Sequence, residues 1–214
     1  MKFQIKSHRY QRLCKVVDKH ENMMQTTATL TAKAELDYPE EIKMPQGEKH
    51  NNICTQLREF LKVLFDDVPN RHAGGDVFFY YEEGTQKSFS PDAYLLETTN
   101  KSPRKSFKFW EEKINLPFVC EVWPEANKEV ERLQKFAFYQ NFLKVPEYVE
   151  LIVDDRFCAY RLEGNDYVPI EPNADGRYML HELGAELAFE DGLIRVYRDG
   201  KKIPTLKEAL RKLV

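Results

Sequence analysis

The stretch Pro117-Phe118-Val119-Cys120-Glu121-Val122-Trp123, closed by Pro124, constrains the fold of this chain more than any other segment. Short, apolar and bounded by prolines, it has the pattern of a buried strand, interrupted by one acid, Glu121. A lone ionised carboxylate buried there would cost several kcal/mol unless it is paired. Either a cation satisfies it, or the end of the strand opens to solvent. Asp92 poses the same question, because it follows Pro91 at the head of another apolar stretch, Ala93-Tyr94-Leu95-Leu96. Two acids at the ends of neighbouring strands would converge on one point. Such oxygen ligands suit Mg²⁺, which prefers octahedral geometry and retains waters.

Hydrophobic periodicity organises the rest. Ile53, Leu57, Phe60, Leu61 and Leu64 recur at helical spacing and predict a helix from Asn51 to Phe65. Asp76–Tyr81 reads as a strand, Glu82–Thr85 as a turn, and Ser90–Leu96 as the next strand. Residues 97–117 read as a polar, basic loop with a short helix. A helix is expected from Asn127 to Leu143, with Val130, Leu133 and Ala137 on one face, then a strand over Tyr148–Val153. Further strands are expected at Phe157–Leu162, Tyr167–Ile170 and Ile194–Tyr197. This order predicts a mixed α/β domain with a strand-rich C-terminal part.

Strand alternation places Val119, Glu121 and Trp123 on one side and Phe118, Cys120 and Val122 on the other. A nuclease of the Asp…Glu-x-Lys type carries its lysine two residues after the glutamate, and here that position is Trp123. The positive charge must come from elsewhere, and the following helix offers Lys128 and Lys135. Glu131, Lys135 and Tyr139 share a helical face, so by spacing alone Glu131 and Lys135 form an ordinary solvated pair.

Charge and composition narrow the function classes. Lys and Arg total 32 against 35 Asp and Glu, so any nucleic-acid contact rests on local patches. Candidates are the loop from Lys101 to Lys113, which also holds Arg104, Lys105 and Lys108, and the basic stretch from Arg195 to Lys212. The content of 14 Phe, 11 Tyr and 2 Trp argues against disorder. No apolar run exceeds Val77–Tyr81, so no membrane partner is expected. Cys14, Cys54, Cys120 and Cys158 lie too far apart for a zinc knuckle, and free thiols in a cytoplasmic protein are the simpler expectation. No G-x-G-x-x-G or Walker loop points to a nucleotide-dependent small-molecule enzyme.

Taken together, Pro91-Asp92, Glu121-Val122, Lys135-x-x-x-Tyr139 and Val145-Pro146-Glu147-Tyr148 resemble the Uma-two family of bacterial restriction endonucleases, within the PD-(D/E)XK nuclease superfamily. Trp110-Glu111-Glu112, Leu116-Pro117 and a histidine at the first helix, His50, fit the same pattern, which covers roughly residues 36–208. Relative to that pattern, Trp123-Pro124 replaces a polar residue and Lys144 replaces a glycine. The interval from Tyr139 to Val145 is one residue longer. The resemblance implies a restriction-endonuclease-like mixed β-sheet core flanked by helices. Asp92 and Glu121 would be the metal-binding carboxylates, and Lys135 a catalytic lysine moved from strand to helix.

The implied activity is Mg²⁺-dependent hydrolysis of DNA phosphodiester bonds, with Mn²⁺ as a substitute and a homodimer by analogy. The alternative is a catalytically weak or inactive relative acting as a nucleic-acid or protein binding module. Glu48 is either a third carboxylate or a surface acid, and His50 is expected as a helix-start or packing residue. Residues 1–35 are expected as a basic N-terminal arm or loosely docked segment, with 36–214 forming a single domain.

Overall fold

The structure, a computed structural model, describes residues 47–123, 129–153 and 156–213. The expected arm at 1–35, the expected helix start at Asn127, and Lys128 lie outside them. Helix α1 (Glu48–Phe65) forms on the apolar period, with Ile53, Cys54, Leu57, Phe60, Leu61 and Leu64 as its buried stripe. Strands β1 (Arg71–Gly74), β2 (Phe78–Tyr80), β3 (Ser88–Phe89), β4 (Ala93–Glu97), β5 (Ser106–Lys108) and β6 (Phe118–Trp123) follow. Helix α2 (Glu129–Ala137) runs directly into a π-helical turn, Phe138–Leu143. Beyond it come β7 (Glu147–Ile152), β8 (Arg156–Glu163) and β9 (Asp166–Pro169). The last elements are β10 (Tyr178–Leu180), β11 (Ala185–Glu190), β12 (Leu193–Arg198), β13 (Lys201–Lys202) and the short helix α3 (Leu206–Arg211). No described helix is long and apolar enough to cross a membrane.

The main sheet has the order β1-β4-β6-β7-β8-β9. Its two central strands, β6 and β7, run parallel with Glu121 opposite Glu150, while the other pairs are antiparallel. A parallel pair needs a crossover, and α2 with its π turn lies on that connection. Both strands are buried throughout, and alternation divides them between two cores. Phe118, Cys120, Val122, Val149 and Leu151 pack with α1 and the β10–β13 sheet, whereas Val119 and Tyr148 pack with Tyr139 and the β3-β2-β5 sheet.

Several expected boundaries shift. The strand expected over Ser90–Leu96 starts three residues later and ends one later, as β4, while Phe89 just before it ends β3 in the small sheet. Pro91 lacks the N–H that a ladder would use, so Ser90, Pro91 and Asp92 become the link between sheets. Residues 97–117 contain β5, with a turn over 109–111 in place of the short helix. Stacking of Phe107 on Phe79 (centroids 4.6 Å apart) accompanies the pairing of β5 with β2. The expected apolar face of α2 is not its inner face, since Val130 and Ala137 are exposed. Arg132, Lys135 and Phe136 turn inward instead, Phe136 meeting the rings of Tyr148, Tyr160 and Tyr167.

Three local devices hold this frame. The extra residue between Tyr139 and Val145 coincides with the π turn, whose wider ring accommodates one residue while Tyr139 O still accepts from Lys144 N and Val145 N. The turn ends at Lys144, in the left-handed region at φ 53°, where a glycine carries no Cβ penalty. Glu147, only 1% exposed, accepts from the N–H groups of His181 (2.8 Å) and Glu182 (2.9 Å) and pairs with Arg161 (3.2 Å), tying β7 to the β10–β11 turn. Gly75 lies so close to the Asp92 carbonyl that a Cβ there would collide with backbone.

Two substitutions test these devices in opposite directions. Lys144→Gly is expected to raise stability by about 0.5–1 kcal/mol in urea unfolding, relief of the left-handed strain exceeding the glycine entropy cost. Gly75→Ala is expected to lower it by more than about 1 kcal/mol through displacement of Asp92. A drop for the first, or no change for the second, would contradict the geometry.

Candidate active site

Strand β4 pairs with β6 only as far as Ala93 opposite Cys120, which leaves the next edge position of β6 without a ladder partner. Two side chains supply it. Asp92 Oδ2 accepts from the Val122 N–H at 2.7 Å, and His50 Nε2 lies 2.8 Å from the Val122 carbonyl oxygen. A carbonyl can only accept, so Nε2 carries the proton. The same nitrogen lies 3.4 Å from Asp92 Oδ2. His50 stands in the first turn of α1, and Asp92 in the link before β4. Burial opposes a charge on the imidazole, but Asp92 and the Val122 carbonyl outweigh it and raise its pKa.

Cys54, one turn after His50, places its sulfur 3.6 Å from Nδ1. His50, Cys54 and Asp92 thus offer three ligand atoms within 4.8 Å of one another, a group that could hold a metal. Its chemistry favours a hydrogen-bonded cluster. Burial pushes the Cys54 thiol far up, and the imidazole proton is committed to Val122.

Glu121, 2% exposed, meets its cation on the other face of β6. Lys135 donates to both carboxylate oxygens, at 2.9 and 3.0 Å, and Tyr139 OH donates to Oε1 at 2.5 Å. The ammonium also lies 5.4 Å from the centre of the Trp123 ring and 3.4 Å from the Ser90 carbonyl. Spacing alone offered Glu131 to Lys135; in the fold its ammonium also makes a tertiary pair with Glu121, a buried carboxylate that would be costly without a cation. Burial raises the Glu121 pKa, Lys135 lowers it and Asp92 raises it again, leaving it at about 7. Burial works against Lys135, but Glu121 and Asp92 reverse that and raise its pKa.

Asp92, Glu121 and Lys135 thus gather around the end of β6. The sequence reading missed what Tyr139 and His50 hold in place, and it missed a second ion pair beside the first. Glu150 Oε1 accepts from Arg132 Nη1 at 2.7 Å. Acids in a strand interior, such as Glu150 in Val149-Glu150-Leu151, were the available signal. Glu48 is exposed at the start of α1, as a surface acid would be. The basic loop spends much of its charge internally. Lys101 donates to the carbonyls of Phe65, Asp66 and Val68, capping α1, while Arg104 pairs with Glu112 and Lys108 with Glu111. In the C-terminal stretch Arg195 pairs with Glu208 and Lys202 with Glu190, whereas Arg198, Lys201, Lys207, Arg211 and Lys212 are exposed.

The Uma2 family model, described as "Putative restriction endonuclease", matches residues 27–195. Among solved structures, the chain is similar to a "putative nuclease belonging to DUF820" from Anabaena variabilis, with 14% identity, a TM-score of 0.49, and coverage of 69% of this chain and 78% of that one. No curated protein matches it.

The Glu121 carboxylate has a testable pH signature. Its pKa of about 7 in the fold lies above its ordinary 4.5, so the native state binds the proton more tightly than the unfolded chain. Its contribution is largest below 4.5 and declines as pH rises through about 7, and His50, also raised, acts in the same direction. The melting temperature of the metal-free protein is expected to fall between about pH 5 and about pH 8, and Glu121→Gln to flatten that fall. Parallel curves for the two proteins would contradict the assignment.

Proposed function

From its place in the Uma2 family, to which this chain belongs, we propose that it hydrolyses DNA phosphodiester bonds at the end of β6, with Asp92, Glu121 and Lys135 as the working residues. The observation that carries this reading is the position of the Lys135 ammonium, 2.9 Å from Glu121 and above Trp123. Trp123 occupies the strand position two residues after the glutamate, and a helix-borne cation covers it.

The donor set fits a hard divalent ion. Asp92 and Glu121 offer carboxylate oxygens and approach the same strand end. At that shared strand end they would hold Mg²⁺, or Mn²⁺ in its place, and the ion would supply Lewis acidity toward the phosphate and a more acidic bound water. Everything else falls to the chain. Lys135 keeps its proton and offsets the charge that grows on phosphate oxygens, or orients the attacking water. Tyr139 fixes one oxygen of Glu121, and the Val122 N–H fixes Asp92 with His50 beside it, so neither acid must reorganise.

Purified protein is expected to nick supercoiled or cut single-stranded DNA with Mg²⁺ or Mn²⁺ and to stop in EDTA. Asp92→Ala and Glu121→Ala should abolish cutting, and Lys135→Ala should slow it by about 100-fold or more. Cutting that persists in EDTA or in Asp92→Ala would overturn the proposal.

A further inference from the structure

Glu121 and Glu150 are directly opposed residues on the parallel strands β6 and β7, so they project from the same face of the sheet. Each meets a cation from α2. Lys135 reaches Glu121 at 2.9 Å, and Arg132, one turn earlier, reaches Glu150 at 2.7 Å. The two pairs are not equally complete. Both oxygens of Glu121 are engaged, whereas Glu150, 1% exposed, uses Oε1 alone and its Oε2 has no hydrogen-bond partner among the described residues. Arg132 Nε is likewise buried without a partner.

A guanidinium presents five donors in a fork that matches two oxygens of a phosphate. In the resting protein that fork makes one strong bond to one carboxylate oxygen, with an edge left over, beside the ammonium that the proposed reaction requires. A pair kept only to tie α2 to β7 would gain from closing bidentately, because each unmade buried hydrogen bond costs free energy.

We propose that Arg132 is a phosphate-binding residue of the site, gripping the nucleic-acid backbone next to the bond cut at Lys135, with Glu150 as its resting counter-ion. This rests on the nuclease reading above, and it adds a residue and a substrate contact to it. Arg132 exchanges Glu150 for a backbone phosphate when DNA arrives, and Glu150 keeps the guanidinium in place until then.

The two partners of one ion pair then behave differently. Binding of a fluorescent duplex and of a single strand is measured by anisotropy in Ca²⁺ over a range of salt, with melting temperatures confirming that each variant is folded. Arg132→Ala should weaken binding by about tenfold or more and reduce the salt slope by about one ion, equally for unrelated sequences. Arg132→Lys should recover part of the loss. Glu150→Gln, which frees the guanidinium, should bind as tightly as the wild type or more tightly. If Arg132→Ala does not fold, Arg132→Gln carries the same comparison. Equal weakening by Arg132→Ala and Glu150→Gln with an unchanged salt slope would overturn the inference in favour of a structural tie, as would a wild type that binds no DNA. Cleavage by the wild type in Mg²⁺ is read in parallel. A protein that binds with these signatures but never cuts would strike the nuclease reading and leave the Arg132 contact standing.

Discussion

The contact between the Glu121 carboxylate and the Lys135 ammonium is the constraint around which the rest of this structure is arranged. An acid in the middle of a buried strand is costly, and its cost is met only when a cation is delivered to it at hydrogen-bond distance. Delivery requires a helix over that face of the sheet, in the right rotation, with the lysine pointing inward. The parallel pairing of β6 and β7 supplies the crossover, and the π turn after α2 accommodates the additional residue while Tyr139 still reaches Glu121. The two cations on the inner face of α2, beside Phe136, follow from the same demand: Val130 and Ala137 are given to solvent so that Arg132 and Lys135 can face the acids.

Asp92 is held in a different way. It stands where β4 has not yet begun, and it takes the place of a missing strand residue by accepting from Val122 N–H while His50 donates to the Val122 carbonyl. One acid is thereby fixed by backbone and the other by a cation, both at the end of a single strand. The close approach of Gly75 to the Asp92 carbonyl leaves no room for a side chain there and helps to keep this position. Glu147, although part of the motif Val145-Pro146-Glu147-Tyr148, is saturated by backbone donors and serves the fold rather than the site.

Legibility in the sequence followed the range of the interactions. The β6 strand, its alternation and the need of Glu121 for a partner could all be read locally, because period-2 burial and the cost of a lone charge need only neighbouring residues. The identity of that partner could not, since Glu131 is one turn from Lys135 along the chain whereas Glu121 is near only in space. His50 looked like a helix-start residue, and it is one; its bond to a strand edge 72 residues away has no local trace. Short strands such as β5 and β10 escaped because they carry too few residues for a period to emerge. The lysines of the 101–113 loop looked available for phosphate, but the unsatisfied carbonyls at the end of α1 claim Lys101.

The most direct test of this account is the anomalous difference density of a crystal grown with Mn²⁺. One strong peak is expected within coordination distance of both Asp92 and Glu121, with the Lys135 ammonium alongside. A peak that touches neither acid, or that sits on His50 and Cys54 instead, would contradict it.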